Sequence, residues 1–283
     1  MLARVLEYAK HYGLGSTLTY TLGRFPQVRG SYGVAVGAMQ RLGAVPGMQP
    51  HSGETCFGGQ LPATITAAMH ANSAAFDLTL PAAMVQALAA YCATAPRKDW
   101  GTLRTVPVEA IRAGRLPDGS PVFVADVVGV DMNTTALQLA RDPVLLAAVT
   151  RYLGYAPIGA QVRILHSPVV DAPFEARRLV QTVDYHFDVQ AYNFVYANFY
   201  LTDVTVDSGA HQMVIGSHAD KPAKWLFSSA RRSEREILQH YGEQRVKTII
   251  GPAGTGFLQD SSCYHRVLAP KTRERLMLHV RYY

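Results

Sequence analysis

A chain of 283 residues, 48% of them apolar, can bury a sizeable core without disulfide or metal staples. Its 27 basic and 21 acidic residues leave a net charge of +6. The basic residues are scattered, with Arg177-Arg178 and Arg231-Arg232 as arginine pairs, and no aromatic-interleaved basic stripe occurs, so nucleic acid is not an expected partner.

The positive excess admits two readings: steering of an anionic small-molecule substrate, or a mildly basic solvated surface. Cys56, Cys92 and Cys263 are odd in number and form no CxxC pair, which argues against a disulfide framework or a zinc knuckle. A reducing, cytoplasmic setting is the expectation. From Met1 to Lys10, charges interrupt the apolar residues at helical spacing. The chain has no apolar run long enough for a signal peptide or a membrane span.

Residues 23–75, rich in Gly, Pro and Ser, read as irregular. A helix is predicted over Leu80–Tyr91, with Pro81 in its first turn. Asp142-Pro143 signals a second helix, running through Leu145, Val149 and Leu153 and stopped by Gly154. The part up to about residue 155 is therefore expected to be helical and irregular.

From about residue 156 the period changes. Short strand-like runs are predicted at Val162–Leu165, Leu179–His186, Phe194–Leu201, Gln212–Ile215, Val246–Ile250, Gly256–Leu258 and Leu276–Tyr282. Turn residues separate them at Asp207-Ser208-Gly209, Gly216-Ser217 and Gly251–Gly254. A capping box at Ser233–Glu236 opens one inserted helix that ends at Gly242. Many short strands argue for a sandwich or barrel, so the fold class is mainly β with α decoration, as one domain over residues 1–283.

The chemistry gathers in the strand-rich half. Alternate side chains of a strand share a face, so His186 and Asp188 in His186-Phe187-Asp188 can grip one ion. A second histidine would complete a two-histidine, one-carboxylate face with coordination positions left open. His265 follows a turn, a short strand and the run Gln259–Tyr264. Ten residues on, Arg275 opens the terminal strand, where a guanidinium can hold the far carboxylate of a dicarboxylate as a bidentate pair.

These motifs resemble the phytanoyl-CoA dioxygenase family of iron(II)- and 2-oxoglutarate-dependent oxygenases. The resemblance rests on His186-Phe187-Asp188, Tyr200-Leu201-Thr202-Asp203-Val204, Ser208-Gly209, Ile215-Gly216-Ser217-His218, Gly254–Asp260, His265 and Arg275, in that order, over roughly residues 158–283. It implies a double-stranded β-helix (a cupin-like jelly roll) flanked by N-terminal helices. It implies Fe(II) on His186, Asp188 and His265, 2-oxoglutarate anchored through its C5 carboxylate by Arg275, and O2 as the oxidant. Asn198, Gln161 and Arg163 are the further cosubstrate contacts it suggests. The implied activity is hydroxylation of an unactivated C–H bond of a small molecule, such as a biosynthetic tailoring step on a secondary metabolite or glycan. Related halogenases have a small residue in place of the carboxylate, so Asp188 favours hydroxylation.

Other residues compete for these roles. Arg281 shares the strand and face of Arg275 but lies further from the metal, and Glu274 is an alternative partner for Arg275. His211, His218, His166 and His279 are expected to be structural, with pocket-lining open for the last two. Tyr185, Phe187, Tyr192 and Tyr196 read as core or substrate wall, and Cys263 as a buried thiol. The segment 219–241, with Lys221, Lys224, Trp225, Arg231, Arg232 and Arg235, is either a solvated insertion or a lid for an anionic substrate. Two other classes stay open: a cupin-like metal enzyme that does not use 2-oxoglutarate, and a non-catalytic jelly-roll binding module.

Overall fold

The computed structural model of the chain describes residue 15 and residues 17–283; the helically spaced stretch Met1–Lys10 lies outside them. Among the described residues four strands precede residue 156: β1 (Ala74–Thr79), β2 (Arg97–Asp99), β3 (Thr105–Val106) and β4 (Ala125–Val127). Nine follow: β5 (Ala160–Ser167), β6 (Tyr185–His186), β7 (Val195–Tyr200), β8 (His211–Val214), β9 (Arg231–Arg232), β10 (Val246–Ile249), β11 (Thr255–Gln259), β12 (His265–Val267) and β13 (Arg275–Tyr282). They form an eight-stranded sheet, β1-β11-β7-β13-β5-β4-β2-β3, and a five-stranded sheet, β10-β8-β12-β6-β9. Every strand pairing is antiparallel. This is a jelly roll of two sheets with open edges, not a closed barrel, and helices decorate it.

The terminal strand β13 shows why the sheets face each other as they do. It is paired along its whole length with β5 and along most of it with β7. Leu276, Leu278, Val280 and Tyr282 enter the main apolar core, which they share with helices. The alternate residues Arg275, Met277, His279 and Arg281 line a cavity on the opposite face. One strand thus contributes apolar anchorage on one side and polar chemistry on the other, as a period of two requires.

Helix Pro143–Leu153 forms part of that outer layer. The Asp142 carboxylate caps it, accepting from the Val144 and Leu145 amides, and Gly154 closes it at φ 81°. The same carboxylate accepts from Thr55 Oγ1 and the Cys56 amide, which ties the 50s loop to the helix. Among the described residues no helix is long and apolar enough to cross a membrane.

The N-terminal third departs from expectation. Residues 23–75 are not irregular: they hold helices Pro26–Arg41 and Pro62–Asn72 and the start of β1. Both helices begin with proline at their first position. The glycines read as breakers serve close packing instead. A Cβ on Gly33 would lie 2.6 Å from the Leu153 carbonyl, and one on Gly37 2.8 Å from that of Gly154. The boundary near residue 155 also falls, because β1 pairs with β11 and β4 with β5, so the first half supplies strands to the large sheet.

Two further corrections bear on the site. The run Leu179–His186 is not one strand; helix Phe174–Val180 ends there and only Tyr185–His186 is extended. Arg177 buries its guanidinium against the Phe123 ring and the Val170 carbonyl, a tertiary contact that holds the segment helical. Pro81 precedes its helix, Ala82–Thr94, as the cap residue. The capping box at Ser233 and Glu236 forms, and the helix it opens, Glu234–Tyr241, stops at Gly242.

Candidate metal centre

β12 is hydrogen-bonded to β6 on one side and β8 on the other, and the register sets His265 directly opposite His186. Asp188 lies two residues beyond β6 rather than within it, so strand alternation does not place it. Its amide instead donates to the Ser261 carbonyl at 2.8 Å, which pins it to the loop leading into His265. His186, Asp188 and His265 converge, with ligand atoms all within 4.8 Å of one another. Asp188 Oδ1 is 3.6 Å from His186 Nε2, and its Oδ2 is 3.7 Å from His265 Nε2. Those separations fall below about 4.2 Å, the most that two donors bonded at about 2.1 Å to one ion can span.

The two imidazoles are oriented alike. His186 Nδ1 donates to the Asp184 carbonyl and His265 Nδ1 to the Cys263 carbonyl, each at 3.0 Å and each two residues back. Both rings therefore turn Nε2 toward Asp188, with the outer nitrogen fixing the tautomer as metal-ligating histidines require. Burial, then the His265 ring beside it, lowers the His186 pKa to about 4, so the imidazole is neutral and free to donate a lone pair.

The three side chains open onto a cavity of about 180 Å³ between the two sheets. Its large-sheet wall carries Gln161 and Arg163 from β5, Asn198 from β7, and Arg275 and His279 from β13. Arg275 is 2% exposed. Its Nη1 donates to the Gly209 carbonyl at 2.6 Å and Nη2 to Ser167 Oγ at 3.4 Å, while Nε has no partner. Burial lowers its pKa and Tyr200 acts against that; among the described residues no carboxylate balances the charge. Glu274, its sequence neighbour, turns away to pair with His166 at 2.9 Å.

The other expected contacts divide. Asn198 is buried and donates to Gln259 Oε1 at 3.4 Å. Gln161 lines the cavity near its mouth. Arg163 also lines it, but its fork is taken by Asp126, with Nε at 2.9 Å and Nη2 at 2.7 Å, and it lies over the Trp100 ring. Arg281 sits at the same end, hydrogen-bonded to Gln190, which also accepts from the Tyr196 hydroxyl at 2.9 Å.

Among the remaining histidines, His218 accepts or donates through Nδ1 to Ser73 Oγ, and His166 is bound by Glu274 and Arg97. His211, expected to be structural, belongs to the cavity instead. Its ring stacks on His265 at 5.3 Å and 22°, and its Nε2 is buried without a partner. The signal was available: β8 alternates, so His211 shares the inward face with Met213 while Gln212 turns out to Thr248 and Arg266. Cys263 is buried, its thiol pushed up to about 12 by burial. Of the aromatics, Tyr196 lines the cavity, Tyr185 and Phe187 join a separate apolar cluster, and Tyr192 stacks on Tyr32.

The 219–241 insertion packs onto the small sheet through β9, which pairs with β6. Arg232 is buried over the Trp225 ring and bonds Ser228 and the Arg231 carbonyl, a packing role. Arg231 remains exposed opposite His186.

No protein-family model and no curated protein sequence matches this chain. Solved structures with the same fold do. One is the carbocyclase SnoK from nogalamycin biosynthesis, with TM-score 0.51 and 17% identity over 82% of this chain and 87% of that one. Another is the epimerase SnoN from the same biosynthesis, with TM-score 0.50 and 18% identity over 78% and 82% of the two chains. HygX from Streptomyces hygroscopicus, with nickel and 2-oxoglutarate bound, gives TM-score 0.50 and 15% identity over 79% and 87%. The chain shares their jelly-roll fold.

Proposed function

We propose that this chain is an Fe(II)- and 2-oxoglutarate-dependent oxygenase in which His186, Asp188 and His265 hold the iron and Arg275 anchors the C5 carboxylate of 2-oxoglutarate. The observation that carries this reading is Arg275: a guanidinium buried to 2% exposure, without a carboxylate partner among the described residues, in the same cavity as the three ligands. An unbalanced buried cation is costly unless an anion joins it. A metal face alone suits many chemistries; a metal face and a lone buried arginine in one small cavity suit a dicarboxylate that spans them.

The donor set fits the ion, since two imidazoles and one carboxylate on one face suit iron(II) and leave positions for cosubstrate and oxygen. Iron(II) with 2-oxoglutarate supplies the activation of O2, coupled to decarboxylation of the cosubstrate to succinate. The chain's own residues bind and orient. Ser167 can donate a hydrogen bond from its hydroxyl to the carboxylate at Arg275, since its oxygen already accepts from Nη2. Asn198 presents a buried amide midway along the large sheet, beside His279 in register. Arg163, held by Asp126, serves as cavity wall.

A cavity of about 180 Å³ is smaller than the roughly 300 Å³ at which drug-sized ligand sites begin. We therefore assign it to the cosubstrate and place the substrate at the mouth, where Gln161, Gln190, Tyr196 and Arg281 lie. The substrate is a small molecule, and Asp188 favours hydroxylation of it. The shared fold of SnoK and SnoN, alpha-ketoglutarate-dependent enzymes of nogalamycin biosynthesis, supports a tailoring step in secondary metabolism. The test is succinate release from 2-oxoglutarate under oxygen with Fe(II)-loaded protein. Slow uncoupled turnover that disappears in Asp188→Ala is expected. No succinate and no 2-oxoglutarate binding by correctly loaded protein would end the proposal.

A further inference from the structure

We infer that His211 is a second anchor for the cosubstrate, donating a hydrogen bond from Nε2 to the carboxylate that Arg275 holds. This rests on the cosubstrate reading above and adds a residue to it.

Three observations converge on His211. It is 5% exposed, lines the cavity, and its Nε2 has no partner among the described residues. A buried polar atom left unpaired is expensive, so an orphan facing a cavity marks a place where a ligand atom belongs. Second, the strand carries it beside the arginine. The Gly209 carbonyl that holds Arg275 Nη1 lies two residues before His211 on the same segment. Third, the ring is immobilised. It stacks on His265 at 5.3 Å and lies 5.3 Å from the Phe257 ring, and its backbone amide donates to the Tyr200 hydroxyl. β8 is paired on both sides here, with Ile249 and Val267 opposite His211. A ring fixed by packing on a rigid strand gives a preorganised donor rather than an adaptable one.

The chemistry also calls for it. A carboxylate offers about four acceptor sites. Arg275 has committed one N–H to Gly209 and another to Ser167. The groups facing His211 are cationic or imidazole: His265, Arg275, His279 and His186. An imidazole that carries its N–H on the unpartnered Nε2 adds a donor without adding a second uncompensated charge.

The experiment is anaerobic titration of the Fe(II)-loaded protein with 2-oxoglutarate, read by its charge-transfer absorption, and with 2-oxobutyrate, which lacks the distal carboxylate. His211→Phe keeps an aromatic ring for the stack and removes the donor; it should weaken 2-oxoglutarate binding by about 10- to 30-fold, the loss typical of a hydrogen bond to a charged group. Binding of 2-oxobutyrate should be unchanged within about threefold, well inside the factor of ten that 1.4 kcal/mol represents. His211→Gln, which can place a side-chain N–H near the same point, should recover most of the affinity; if the Phe variant does not fold, His211→Leu, which also lacks a donor, takes its place and should show the same selective loss of 2-oxoglutarate. Equal 2-oxoglutarate affinity in wild type and His211→Phe overturns the inference, as does an equal loss for both ligands. Failure of the wild type to bind 2-oxoglutarate at all would instead strike the cosubstrate reading.

Discussion

Replacing Arg275 with methionine should make the protein more stable and unable to bind its cosubstrate, and the opposite signs are what make the substitution informative. A buried ion without a counter-ion costs several kcal/mol of desolvation. In the free protein Arg275 recovers part of this through two hydrogen bonds, to Gly209 and Ser167, worth roughly 1.5–3 kcal/mol each at best. The Ser167 contact is long at 3.4 Å and contributes little. Methionine fills similar volume, removes the charge and leaves the Gly209 carbonyl and, more weakly, the Ser167 hydroxyl to find new partners, for a net gain of about 1–2 kcal/mol. For a chain of this length that corresponds to a rise of roughly 3–6 °C in Tm. In the wild type, Ni(II) with 2-oxoglutarate at a hundred times its Kd should add about 2.7 kcal/mol; in the variant the 2-oxoglutarate increment should vanish while the Ni(II) increment stays. Differential scanning fluorimetry of both proteins, with and without each ligand, reads all of these. A variant destabilised by several kcal/mol, or one that keeps its 2-oxoglutarate shift, would show that Arg275 is a satisfied structural residue and refute the reasoning.

Three further outcomes are expected. Gly33→Ala should destabilise by about 1–3 kcal/mol, because its Cβ would meet the Leu153 carbonyl at 2.6 Å, whereas Gly30→Ala, with open space around it, should stabilise the same helix by up to about 1 kcal/mol; urea denaturation separates them. Arg29→Met should cost about 3–5 kcal/mol at neutral pH by stranding the buried Asp260 it pairs with at 2.8 Å. Burial raises the Asp260 pKa, but Arg29 more than offsets that and holds it below 3.8, so the pair's contribution is complete above that value and is lost as the pH falls beneath it. The stability gap between wild type and Arg29→Met should therefore widen as the pH rises from 3 to 6; a constant gap would contradict the ion-pair account. His265→Ala and Asp188→Ala should each lose Ni(II) binding by calorimetry, while Arg281→Ala retains it.

The sequence declared chemistry more readily than register. The capping residues Asp142 and Ser233, the stops at Gly154 and Gly242, and most strands after residue 160 were legible because they depend on near neighbours. The strand order was not, since β1 reaching β11 is a pairing between segments some 180 residues apart. Glycines 33 and 37 misled because a residue that weakens an isolated helix is the one that lets two helices touch. At the site, His186, Asp188 and His265 stood out as a motif, yet Asp188 reaches its place through the Ser261 carbonyl rather than through a strand. His211 and Ser167 carried no motif, and Arg163 carried one but met Asp126 first, a contact that only folding reveals.

The most direct test is whether one divalent ion and one dicarboxylate share this cavity. Anaerobic Fe(II) and 2-oxoglutarate added together should give a visible charge-transfer band in the wild type, absent without iron, absent in Asp188→Ala, and displaced to much higher 2-oxoglutarate concentrations in Arg275→Met. A folded, iron-loaded wild type that shows no such band, or a band indifferent to Arg275, would contradict that sharing.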